Sequence, residues 1–132
     1  MKSPVTFTVE THIPATPEQI FDAWHCSQGH ELMTGAPAQA SPEPGATFSA
    51  WDGYVSGTNV LVERPGHFVQ QWRTTQFDGD EPNSLLTVRL YGQAEGTRVV
   101  LTHENLPKHG KQYLQGWHDH YFEPMKAFFG RD

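Results

Sequence analysis

Residues 110–130, GKQYLQGWHDHYFEPMKAFFG, constrain this chain more than any other stretch. At about 100° per residue, Leu114, Trp117, Tyr121, Met125 and Phe128 fall in one stripe, with His118, Phe122 and Phe129 on its flank. Gln112, Gln115, Asp119, His120, Glu123 and Lys126 take the opposite side. A helix of this kind must lay its broad apolar face on another element. Two residues mark its course. Gly116 in a helix interior is unfavourable by about 1 kcal/mol relative to alanine, and predicts a close approach of backbone to backbone. Pro124 has no N–H for the carbonyl of His120, and predicts a kink near the middle.

The upstream sequence supplies a sheet to receive this helix. Val5, Phe7 and Val9 alternate with Thr6, Thr8 and Glu10, a half-buried strand that runs to about Ile13. Thr16-Pro17-Glu18-Gln19 places an N-cap, a proline at the first helical position and a glutamine at N3, which together form a capping box. The short helix that follows has Ile20, Phe21 and Trp24 on its apolar side. It breaks over residues 25–29, before one more turn through Glu31, Leu32 and Met33. Residues 35–45 carry three prolines and read as an irregular connection.

Five strand-like runs then follow in succession: 47–51, 54–63, 67–75, 85–91 and 97–104. Their separators are turn residues, Asp52-Gly53, Arg64-Pro65-Gly66, Asp78-Gly79-Asp80 and Glu95-Gly96, so the runs form an antiparallel meander. Gly57 predicts a bulge or sharp bend. The expected class is α+β: a curved, six-stranded antiparallel sheet, one or two short helices after the first strand, and a long C-terminal helix.

A chain of 132 residues fits one domain, 1–132. Its net charge of −6 and scattered basic residues exclude a nucleic-acid footprint and attraction to an anionic membrane. Cys26 is the only cysteine, so no internal disulfide forms and a reducing compartment is expected. The N-terminus lacks an apolar leader and no apolar run reaches 18 residues, which together predict a cytoplasmic protein.

The eight histidines do not have metal-site spacing. His118 and His120 diverge by about 200° on a helix, and His25, Cys26 and His30 lack a fourth ligand, so no metal is expected. Leu86, Val88 and Leu90, then Val99, Leu101 and His103, form the strand faces turned to the long helix. His103 is the polar exception there and needs a partner from Tyr113, Trp117 or His118. Trp51 and Trp72 line the core or a cavity, where buried indole N–H groups need acceptors. There is no Ser-His-Asp order, phosphate loop, dinucleotide fingerprint or paired-carboxylate motif, so neither a catalytic residue nor a cofactor is expected.

Four segments carry a family resemblance: ATPEQIFDAW (15–24), PGATFSAWDGYVSGTNVLVERPGHFVQQWR (44–73), GTRVVLTHENLP (96–107) and GWHDHYFEPMKAFFG (116–130). They resemble the family named after the activator of heat-shock-protein-90 ATPase, within the START-like (SRPBCC, Bet v 1-like) superfamily. The resemblance implies a helix-grip fold with a cavity between sheet and helix. Superfamily members bind apolar small molecules, catalyse cyclisation or dehydration in the cavity, or work on protein partners. The chaperone activator's additional N-terminal domain has no counterpart in this sequence, which argues against copying the co-chaperone role across. Pro124 is unlike the eukaryotic activator's helix. Met33 stands where relatives show a tryptophan, which implies a wider or more adaptable cavity mouth.

The leading expectation is a non-enzymatic domain that binds a small apolar ligand through Met33, Phe48, Trp51, Trp72, Leu86, Val88, Leu101, His103, Tyr113, Trp117, His118 and Tyr121. One alternative is a protein-interaction module that modulates a chaperone ATPase. Another is a cavity enzyme using His103 with Tyr113 or His118 as acid and base. Either a monomer or a homodimer is compatible with the sequence.

Overall fold

The computed structural model describes residues 5–130, so the extreme ends of the expected 1–132 domain lie outside the described residues. Strand β1 (Val5–Ile13) leads into α1 (Pro17–Trp24) and α2 (Ser27–Thr34). Strands β2 (Thr47–Ala50), β3 (Val55–Glu63), β4 (His67–Thr74), β5 (Ser84–Gln93) and β6 (Gly96–Leu106) follow in succession. The C-terminal helix enters through a tight 3₁₀ turn (Lys108–Lys111), then runs as α3 (Gln112–Trp117), a π-helical turn (His118–Phe122) and α4 (Glu123–Phe129).

The sheet has the order β1-β6-β5-β4-β3-β2, with every neighbouring pair antiparallel. Short turns make the β2-to-β6 meander, and the α1–α2 excursion lets β1 close against β6. This is the helix-grip arrangement. Alternation sets the faces: Leu86, Val88, Leu90, Val99, Leu101 and His103 are all buried beneath the helices. The five apolar residues among these belong, with Phe21, Phe68, Phe122 and Met125, to one hydrophobic core, in which each fully buried large apolar side chain contributes about 1.5–3 kcal/mol.

The capping box at α1 is formed as the sequence predicts. The Gln19 N–H donates to Thr16 Oγ1 at 3.1 Å, and the Thr16 N–H donates to Gln19 Oε1 at 2.8 Å. The expected break over 25–29 is shorter, because α2 begins at Ser27 and takes in Gly29. A Cβ on Gly29 would sit 2.8 Å from the Ala23 Cα, so this glycine lets α2 fold back tightly on α1.

At Gly57 the strand has no room for a side chain: a Cβ would collide with the Gln71 carbonyl and the Phe48 ring. The bulge itself falls later in the strand, between Asn59 and Leu61. Among the described residues no helix is long and apolar enough to cross a membrane.

The long helix departs from the expected pattern in an informative way. Pro124 cannot donate to His120, and the chain widens just before it: the Glu123 N–H donates to the carbonyl of His118, five residues back. The predicted kink is thus a π-turn. The buried stripe is Tyr113, Trp117, Tyr121 and Met125, each four residues apart, with Phe122 beside it. In a regular α-helix a four-residue spacing drifts around the axis by about 40° per step, and the wider turn takes some of that drift back. Leu114, placed in the stripe by a regular period, is instead 38% exposed.

Candidate functional site

A cavity of about 300 Å³ lies between the first half of the long helix and the β2–β3–β4 end of the sheet. The sheet side contributes Trp51 and Tyr54 from the β2–β3 turn, Val55 from β3 and Trp72 from β4. The helix side contributes Tyr113, Gly116, Trp117, His120 and Tyr121. No Asp, Glu, Lys or Arg is among them.

Most polar atoms on these rings are tied off behind the wall. The Trp117 indole N–H donates to His103 Nδ1 at 3.0 Å. That fixes the His103 tautomer: Nε2 carries the proton and donates to Ser84 Oγ at 2.8 Å, while the Ser84 hydroxyl donates to the Trp72 carbonyl at 2.7 Å. Burial pushes the His103 imidazole down to about 3, so it is neutral.

Tyr121 repeats the pattern. The His30 Nδ1–H donates to the Trp24 carbonyl at 2.9 Å, which leaves Nε2 to accept from the Tyr121 hydroxyl at 2.8 Å. Burial lowers the His30 pKa and raises that of Tyr121, so both stay neutral. The Tyr113 hydroxyl shares a hydrogen bond of 2.6 Å with Thr74 Oγ1, and burial pushes the phenol up to about 12. The Tyr54 hydroxyl donates to Gln76 at 2.6 Å. Trp24 stacks on both Trp117 and Tyr121, at centroid distances of 6.2 and 5.2 Å, and supports them from behind.

The turn that carries Trp51 is the strained part of the site. Trp51 (φ 53°) and Asp52 (φ 57°) both take left-handed backbone conformations before Gly53, which for residues other than glycine is unfavourable by about 1 kcal/mol or more each. The Asp52 N–H to the Pro37 carbonyl (3.0 Å) and the Tyr54 N–H to the Trp51 carbonyl (3.2 Å) hold it there. The predicted strand through Trp51 therefore stops at Ala50.

Of the residues expected at the site, the structure brings Trp51, Trp72, Tyr113, Trp117 and Tyr121 together around the cavity. Leu86, Val88 and Leu101 are fully buried in the core and are not among the residues that line the cavity. Met33 is 1% exposed in the same core and does not line the cavity either. Phe48 faces a separate void of about 10 Å³ beside Trp24, His25 and Gln70.

His118 lies off the cavity, with its ring 5.4 Å from that of Phe122. His103 stands behind the wall with both nitrogens engaged, and it meets neither Tyr113 nor His118 in an acid–base pair.

Four lining residues escape the sequence reading. Gly116 is the clearest. Its backbone approaches no other: the nearest atom to an added Cβ would be His120 Cδ2 at 3.9 Å, and the missing side chain opens the cavity. His120, expected on the wet side, is exposed but meets Trp51 edge-on at 5.2 Å. Tyr54 and Val55 enter from the end of the turn. Its left-handed residues gave the only available signal, Asp52-Gly53.

The family model for "Activator of Hsp90 ATPase homolog 1-like protein" matches residues 14–130. The human "Activator of 90 kDa heat shock protein ATPase homolog 1" is 25% identical over 126 residues, covering 93% of this chain but 36% of the human protein; the mouse protein gives 24% over the same span. The chain thus spans about a third of the length of these relatives.

Among solved structures, an HSP90 activator from Plasmodium falciparum superposes with a TM-score of 0.85 at 21% identity, covering 95% of this chain and 96% of that one. CalU16 from Micromonospora echinospora gives 0.77 at 18% identity, over 94% and 75%. At these identities the likeness concerns the fold. With the family model covering nearly the whole described chain, the protein belongs to the Activator of Hsp90 ATPase homolog 1-like family.

Proposed function

We propose that this domain binds a small apolar molecule in the cavity between the long helix and the sheet, and performs no chemistry on it. The observation that carries this reading is the direction of the polar atoms. Trp117, Tyr121 and Tyr113 each hydrogen-bond into the protein behind the wall, so the cavity is faced with ring surfaces. A wall built this way recognises shape and apolar area. The two histidines behind the wall, His103 and His30, serve to hold the rings, and neither is free to move a proton to or from a ligand. The lone Cys26 fits a cytoplasmic location, as monomer or homodimer.

Native mass spectrometry of freshly purified protein, with a parallel titration by N-phenyl-1-naphthylamine, tests this reading. Extra mass lost on denaturation, or saturable probe binding at one site per chain, supports it. A clean mass together with no saturable binding overturns it.

A second reading rests on the Plasmodium protein, an HSP90 activator of nearly the same extent and fold. In it, this domain modulates a chaperone ATPase through its surface. Stimulation of a purified heat-shock-protein-90 ATPase by this chain, unaffected by filling the cavity, would favour it over the first.

A further inference from the structure

Two indole N–H groups of the cavity wall, those of Trp51 and Trp72, form no hydrogen bond among the described residues, and of the two only the Trp51 N–H is completely covered. Trp117, Tyr121, Tyr113 and Tyr54 all have theirs. A buried donor without a partner is unfavourable in the free protein, and an acceptor brought by a ligand removes that penalty only on binding.

The position of Trp51 agrees with such a role. It sits at the mouth on a left-handed turn, half-buried, with its ring edge-on to exposed His120. Strained backbone that persists beside a cavity is a common property of ligand clamps. The lining has no charged carboxylate, ammonium or guanidinium to pair with an ion.

We propose that Trp51 sets the specificity of the cavity: its ligand is an uncharged ring molecule, about the size of naphthalene, carrying one hydrogen-bond acceptor that takes the Trp51 indole N–H. This rests on the ligand-binding reading above. The N–H is covered in the present conformation, so the indole turns about its side-chain bonds as the acceptor arrives. The backbone turn, held by the Pro37 carbonyl, stays in place.

The test uses two probes of nearly equal shape, tetralin and 1-tetralone, which differ by one carbonyl oxygen. Dissociation constants are measured for the wild type, Trp51→Phe and, as a control on the other sheet-side indole, Trp72→Phe. The ratio of the two constants in each protein cancels the difference in hydration between the probes. The preference for tetralone over tetralin should fall roughly fivefold to tenfold in Trp51→Phe, with tetralin affinity changing less than about twofold. In the wild type, the Trp51 indole ¹⁵N–¹H resonance should shift on adding tetralone and much less on adding tetralin, a readout that needs no variant.

If both probes bind and the preference is unchanged in Trp51→Phe, or falls only in Trp72→Phe, the assignment to Trp51 is wrong while ligand binding stands. If neither probe binds the wild type while N-phenyl-1-naphthylamine does, this inference alone fails; if none of the three binds and the native mass is clean, the ligand-binding reading fails and this inference fails with it.

Discussion

The two halves of the long helix use aromatic residues in opposite ways. Along α3 and the π-turn as far as Tyr121, the side chains of Tyr113, Trp117 and Tyr121 face an open cavity, and each is held by a hydrogen bond behind the wall. Beyond that point Phe122 and Met125 are completely buried, and α4 lies against α2. These side chains need no polar partner and fill space by shape alone.

The difference teaches how a cavity survives inside a small domain. Ring surfaces left facing a gap lose the packing that would otherwise fix them, and anchored N–H and O–H groups replace that packing. Gly116 opens the space within the first regime, and the Pro124-linked π-turn separates it from the second.

This contrast can be broken at several points. The largest effect is expected at the closed half: Phe122→Ala should lower stability by about 3–5 kcal/mol in urea unfolding, because the gap it leaves has no means of collapse. A value under about 1 kcal/mol would mean that this half is not tightly packed.

Acid should act on the open half through its anchors. His103 is held down to about 3 from an ordinary value of 6.5, so the unfolded chain takes up a proton between these values and the folded chain does not. The stability this gives is fully present above pH 6.5 and is lost as pH falls towards 3. For one such histidine the slope is about 1.4 kcal/mol per pH unit, or about 2 kcal/mol by pH 5. His30 and His25, also lowered mainly by burial, add in the same direction. The wild type's advantage over His103→Gln should therefore narrow on going from pH 7 to 5, and a constant difference would contradict the assignment.

Trp117→Phe keeps the ring but leaves His103 Nδ1 buried without its donor. It should lose about 1–3 kcal/mol, more than the small change in ring area explains. The smallest effect has the opposite sign: Gly116→Ala should raise stability by about 0.5–1 kcal/mol, since the added methyl meets open space. A destabilised Gly116→Ala would show that the helix backbone is closely approached there after all.

Much of the fold is legible in the sequence because it depends on local rules. The Thr16–Gln19 capping box, the turns between strands and the alternation through Leu86–Val88–Leu90 and Val99–Leu101–His103 each follow from a few neighbouring residues.

The division of the aromatics between wall and core depends on long-range geometry and is not legible in the same way. A regular helical period puts Leu114 inside and His120 outside. The π-turn makes Tyr113 the buried residue and leaves His120 at the cavity mouth. Pro124 gave the signal for a disturbance, but not for its form. Gly116 could be read as close contact or as empty space, and only the distance to its neighbours decides between them.

The most direct test of the ligand-binding cavity is titration of N-phenyl-1-naphthylamine into the wild type and Gly116→Leu, with circular dichroism to show that both are folded. Leucine at this position projects into the space that glycine leaves open. Saturable binding by the wild type, weakened at least about tenfold in a folded Gly116→Leu protein, is the predicted result. Equal affinity in the two proteins would mean that the probe binds elsewhere, and the account of the cavity would be wrong.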